Sequence, residues 1–398
     1  MKRILTILFT LVFLQNVCFA SQQSISFIYI NGSNNNDEHM KNWYENGVKK
    51  LHPTLKKKFE TNKDTKPFYN TKTGLYHINK SPVIFFWGDK SKNELDWVKQ
   101  QLEYAKVALS LTVAPHVRSM ITAYFHDAIW VQKSHNMMPI LENLNQVVKN
   151  EAEKGNRVAL FGYSAGTFIT YQYLLNKMPY LNPSDLFNAL NVSEETREFI
   201  DNNPQKNTCI SALEDAKIGV VSETGHLVLD NSQNFKKNYL NLNNSTEKVC
   251  APENVVTGVV NFASPLVLFY SDLADPQYEM NYYKAFMSKY ILEHGIAFLT
   301  INFREDPLGF PTTKNLTNDE IEQVTGLLLN NPTGIIYDNS RVWSKRSVLF
   351  AHTSYWKSKG TFSNAIVKTY VEGNKFNYDK EYQKKMLKKR DKDFNIWQ

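Results

Sequence analysis

The sequence predicts an α/β protein: a mainly parallel sheet with helices on both faces and an inserted lid region. Three observations carry this. Short apolar runs rich in Ile, Val and Phe recur along the chain. They alternate with longer stretches of helical spacing, and one passes straight into a helix through the turn Gly162-Tyr163-Ser164-Ala165-Gly166. Strands separated by crossover-length segments pair in parallel, and parallel sheets are covered on both faces.

Taken in order, residues 1–20 read as a secretory signal, with Lys2 and Arg3, an apolar run from Ile4 to Leu14, and Cys18-Phe19-Ala20 before Ser21. The run is shorter than the roughly 20 apolar residues of a membrane-spanning helix. The expectation is a cleaved leader and an exported protein, secreted or periplasmic. Gln15, Asn16 and Val17 do not suit lipidation of Cys18.

Residues 24–31 form a buried strand that runs into the loop Asn31-Gly32-Ser33, and a helix starts near Asp37. Pro82 opens a second strand, Val83 to Trp87, stopped by Gly88-Asp89, and the chain on to Gly155 has helical spacing. Val158 to Phe161 is the third strand, followed by a helix from Ala165 to about Met178. Residues 180–215 lose periodicity and gather Pro183, Pro204 and several asparagines, as in an insertion over one end of a sheet; they are the candidate lid. Further strands are expected at Val255 to Phe262, Ile296 to Phe303 and Ser347 to Ala351. One domain spans 21–376. Residues 377–398 form a tail rich in lysine from Lys380 to Lys392, either a solvated helix or a contact for an anionic membrane.

Composition narrows the function classes. The 398 residues are 42% hydrophobic with 24 phenylalanines and 21 tyrosines, enough for one large core. Loss of Lys2 and Arg3 with the leader lowers the net charge from +7 to about +5, a mild excess that does not argue for nucleic acid. Cys209 and Cys250 remain after cleavage, an even number in an exported chain and so a candidate disulfide. Their spacing fits no zinc motif, no histidine pair stands beside a glutamate in helical spacing, and no metal or cofactor is expected.

The chemistry centres on Ser164. A serine between strand and helix, flanked by Gly162 and Gly166, is a nucleophile elbow: the turn is sharp, and strand and helix approach too closely for side chains at the flanking positions. A serine hydroxyl needs a base to take its proton and an acid to orient that base. With an elbow of this kind the acid and then the histidine follow along the chain, which leaves His226, His294 and His352. His352 follows the last expected strand and is the only histidine after Asp306. Asp306 follows the strand at 297–303, with Glu305 its immediate rival and Asp272 and Asp275 alternatives one strand earlier. Backbone amides of Ala165 and Ser33 are candidates for an oxyanion hole, Gly32 allowing close approach of the backbone to substrate.

At these residues the chain resembles the α/β-hydrolase superfamily, and more particularly its class 3 lipase-like members. Asn31-Gly32-Ser33 is similar to the family's His-Gly-small oxyanion loop, with Asn31 in place of histidine. Phe262-Ala263-Ser264-Pro265 is similar to its Phe-Gly-Ser/Ala-Pro, with Ala263 in place of glycine. Asn302 to Pro311 resembles the aspartate loop, offset by one residue, and His352-Thr353-Ser354-Tyr355 resembles the histidine loop. The resemblance implies cleavage of carboxylic esters, with lipid or acyl esters as substrate class. A phospholipase or acyltransferase at a membrane surface is the second expectation, and a non-catalytic binding protein of the same fold the third. Asp127 and Trp130 are either pocket or core residues. Asn31, Asn191, Asn244 and Asn315 each open a glycosylation triplet, and a glycan on Asn31 blocks the proposed site.

Overall fold

The computed structural model describes residues 24–33, 38–62, 77–97, 126–127, 129–179, 193–205, 208–221, 227–229, 234–242, 249–266, 282–311 and 315–394. The expected leader, His226, Asp272, Asp275, Asn191, Asn244 and residues 180–192 of the candidate lid lie outside the described residues.

Among the described residues seven strands make the main sheet: β1 (Ser24–Ile30), β2 (His77–Ile78), β3 (Val83–Phe85), β4 (Arg157–Tyr163), β7 (Val256–Phe262), β8 (Ala297–Phe303) and β9 (Ile335–Val342). Two further strands, β5 (Gly219–Val221) and β6 (Leu227–Leu229), pair antiparallel by themselves. The main order is β2-β1-β4-β7-β8-β9, with β3 beside the later half of β1, and each pairing is parallel. The chain leaves β1 for one side of it, to β2 and β3, and then crosses to the other side for β4. In an open α/β sheet such a reversal marks a crevice beyond the carboxyl ends of the adjoining strands, here β1 and β4, where the ligand binds.

Alternate strand residues feed two cores. Phe27, Phe161 and Leu299 pack with α1 (Glu38–Thr61) and α10 (Lys359–Tyr378), through Leu51, Phe362 and their neighbours. Ile28, Leu160 and Val259 pack on the opposite face with α2 (Ser134–Glu153) and α3 (Gly166–Lys177), through Leu144 and Ile169. Burial on both faces is why these strands read as continuous apolar runs. The fold is thus an α/β fold with a parallel sheet and flanking helices, compatible with the α/β-hydrolase arrangement.

One expected strand is corrected. Ser347 to Ala351 is not in the sheet; Val348–Ala351 is a short helix, α9, capped at Ser347. The last strand is β9, whose sequence Ile-Ile-Tyr-Asp-Asn-Ser-Arg-Val loses its apolar character halfway because it is the outermost strand of the path, paired on one side to β8. Short strands β2, β5 and β6 carry too few residues to show a period.

The described part of 180–215 holds α4 (Glu194–Asn202) and α5 (Ile210–Asp215), with Ile200, Ile210 and Leu213 buried in the core that also takes α3. Cys209 and Cys250 are joined by a disulfide with Cα atoms 5.8 Å apart. The tail is a helix, α11 (Lys380–Phe394), that follows α10; Arg390 grips Glu320 with two hydrogen bonds of 2.9 and 3.1 Å. Burial pushes the Glu320 carboxyl up, but the Arg390 bonds and the Thr317 amide outweigh it and hold the group below its usual range. No described helix is long and apolar enough to cross a membrane.

Candidate active site

Ser164 stands where β4 turns into α3, at φ 52°, a left-handed conformation that costs a non-glycine residue about 1–3 kcal/mol. Neighbouring bonds hold it there: the Ser164 amide donates to Phe262 O at 3.0 Å, and the Ser164 carbonyl accepts from the Thr167 amide at 2.9 Å and the Thr167 hydroxyl at 2.7 Å. The three glycines are sterically required. A Cβ on Gly162 would lie 2.7 Å from Asn261 Oδ1, one on Gly166 would lie 2.6 Å from the carbonyl oxygens of Asn31 and Ile30, and one on Gly32 would lie 2.8 Å from Ser164 Cβ. The last contact also puts the loop after β1 directly against the serine.

The serine hydroxyl meets His352. Ser164 Oγ is 2.9 Å from His352 Nε2, and His352 Nδ1 is 3.0 and 3.2 Å from the two carboxylate oxygens of Asp306. A carboxylate at Nδ1 places the imidazole proton there, and Nε2 is left as acceptor for the serine. The Asp306 side chain is fully buried. Its oxygens also accept from the Leu308 amide at 3.0 Å and the Tyr355 hydroxyl at 2.9 Å, so the charge is surrounded by donors rather than water. Tyr355 stays protonated, because burial first and the Asp306 charge second raise its pKa well above the usual value.

Each partner reaches the serine from a different loop. Asp306 sits in the turn after β8, closed by the Asp306 amide donating to Phe303 O. Asn302 pins that turn, accepting the Ser264 amide at 2.9 Å and donating to Phe310 O at 2.7 Å, while the Phe310 amide donates to Ser264 O. His352 ends α9, and its carbonyl accepts from Tyr163 OH at 3.0 Å. Glu305, the neighbouring acid, points elsewhere: it accepts the Ser344 and Lys345 amides at 3.1 and 2.9 Å and so holds the chain between β9 and α9. His294 lies just before β8, bonded to Tyr290 O, at the opposite sheet edge.

Ala165 caps α3, so its amide is among the first of that helix, which have no partner within it. Ser33 is buried next to Gly32 in the loop against the serine. Asn31 is fully buried and braces this loop; its Nδ2 donates to Gly32 O, its Oδ1 accepts the Trp87 amide, and its carbonyl accepts Trp87 Nε1. It stands at the position where the resemblance expects histidine, and its amide faces no water. Ala263 adopts φ 53°, which accounts for the glycine expected there. Asp127 is buried and accepts from the Ser91 hydroxyl at 2.7 Å, and Trp130 lies in the core beside α2, so both belong to packing.

Among the described residues no three His, Cys, Asp or Glu side chains gather as metal ligands. Sequence reasoning missed Tyr355 and Asn302, although both lie inside the segments quoted for the resemblance. Comparison with family models, with curated proteins and with solved structures finds no match to this chain.

Proposed function

We propose that this chain is an exported serine hydrolase that cleaves carboxylic esters, lipid or acyl esters above all, through an acyl-enzyme intermediate. The observation that carries the reading is the continuous relay from Ser164 through His352 to buried Asp306, on a left-handed elbow at the mouth of the sheet crevice. Ser164 Oγ attacks the ester carbonyl as its proton passes to His352 Nε2, and Asp306 stabilises the imidazolium. The amides of Ala165 and Ser33 take the charge on the carbonyl oxygen, and His352 returns the proton to the departing alcohol. Water then repeats the sequence on the acyl-serine and releases the acid.

The finer likeness to class 3 lipases rests on the sequence motifs. The departures that favoured a non-catalytic protein have structural uses: Asn31 braces the oxyanion loop, and Ala263 takes the left-handed conformation its position demands. The test is hydrolysis of a p-nitrophenyl ester series by the mature chain and by Ser164→Ala. The proposal expects turnover by the first and none above background by the second; equal rates would overturn it.

A further inference from the structure

Exposed apolar side chains are concentrated on the stretch of chain that leads to His352. Trp343, Val348 and Phe350 are 57%, 56% and 65% exposed, between the end of β9 and the histidine. Large apolar groups concentrated on one short stretch mark a contact surface rather than chance exposure.

The stretch is held in shape by the turn that carries the acid. The Arg304 amide donates to Val342 O at 2.8 Å, and the Arg304 guanidinium lies over the Trp343 ring at 5.5 Å. Glu305 fixes the Ser344 and Lys345 amides. The two loops that deliver Asp306 and His352 therefore share one rim.

On the His352 side of that rim the side-chain charge has one sign. From Arg341 to Lys359 the sequence contains Arg341, Lys345, Arg346, Lys357 and Lys359 and no Asp or Glu, and Lys345 and Arg346 are exposed. The neighbouring Glu305 carboxylate is taken up by backbone amides. Indole and phenyl rings beside lysine and arginine suit the boundary between lipid headgroups and acyl chains, and the cations complement anionic headgroups.

We propose that the rim of Trp343, Lys345, Arg346, Val348 and Phe350 docks on an anionic phospholipid surface and so brings the Ser164 crevice onto it. Only the use of this docking, delivery of acyl esters, rests on the hydrolase reading. The rim differs from the lysine-rich tail: Tyr378, just before α11, donates to Gly334 O at the start of β9, the sheet edge opposite Ser164.

The test is co-sedimentation of the mature Ser164→Ala chain with phosphatidylcholine vesicles, with and without phosphatidylglycerol, so that binding is read without turnover. Binding is expected to need phosphatidylglycerol and to weaken with salt. K345E/R346E and, separately, W343S/F350S should each lower the partition coefficient at least about tenfold, while thermal melting shows both variants folded. K384E/K385E on the tail should leave binding within about twofold of the parent, those charges lying on a helix that starts at the opposite end of β9 from the rim. Absence of binding to either vesicle, or loss on changing the tail with the rim variants unaffected, overturns the proposal. Loss of esterase activity elsewhere leaves this readout untouched.

Discussion

Tyr355 donates its hydroxyl to Asp306 Oδ2 at 2.9 Å and accepts the Phe303 amide at 2.8 Å, so one side chain fixes both the carboxylate and the strand end that carries it. Its ring stacks on Phe303 with centroids 4.0 Å apart, which leaves it little freedom. Tyr355→Phe keeps the stacking and removes both bonds. A lost bond to a charged group together with an orphaned buried amide costs about 1–3 kcal/mol. Denaturant melting should register that loss, and kcat should fall roughly tenfold or more with KM little changed. Wild-type kcat would show that Tyr355 does not orient the acid.

The elbow tolerates no added carbon. Gly166→Ala pushes a methyl into two backbone carbonyls that cannot swing aside, and it should lower stability by about 3 kcal/mol or prevent folding. Gly32→Ala meets Ser164 Cβ instead, so activity should fall more than stability. The comparison requires both kcat and melting temperature for each variant.

The Cys209–Cys250 disulfide closes a loop of sequence separation 41 and anchors α5 to the core. By chain entropy such a crosslink stabilises by about 4 kcal/mol. Cys209→Ser/Cys250→Ser should show a large drop in melting temperature, matched by treating the parent with reductant. Equal melting with and without reductant contradicts this.

How much was legible in advance follows from burial. β1, β4, β7 and β8 are apolar on both faces and were readable to within a residue or two, as was the elbow, because close approach of strand and helix leaves only glycine at Gly162 and Gly166. The outermost strand β9 was not, since its second half is polar, and four apolar residues in a row at 348–351 imitated a strand although they form a helical turn with two side chains outward. The choice of Asp306 over Glu305 was undecidable from spacing. Neighbouring carboxylates point to opposite sides of a turn, and only the fold shows which one meets His352. Asn302 is hard to single out by motif reading because it acts by tying its own turn, at Phe310, to a loop distant in sequence, at Ser264.

A pH effect arises away from the crevice. His52 in α1 is buried; its Nε2 bonds to Asn79 O at 2.8 Å, and its Nδ1 lies 3.1 Å from Tyr29 OH. Burial, opposed only partly by the Asn79 bond, lowers its pKa below the ordinary histidine value of 6.5. The unfolded chain therefore binds the proton more readily, so the contribution of His52 is intact above 6.5 and is lost as pH falls below it toward the folded value. Melting temperature should drop between about pH 7.5 and pH 5.5, and His52→Gln should flatten that part of the profile.

The most direct measurement of the central claim is reaction of the folded protein with a fluorophosphonate, with the adduct located by mass spectrometry of tryptic peptides. The relay geometry predicts a single adduct on Ser164, abolished in His352→Ala and slowed about 100-fold or more in Asp306→Asn, which loses the charge that stabilises the imidazolium. No adduct on folded protein, or one that persists unchanged in His352→Ala, would contradict the account.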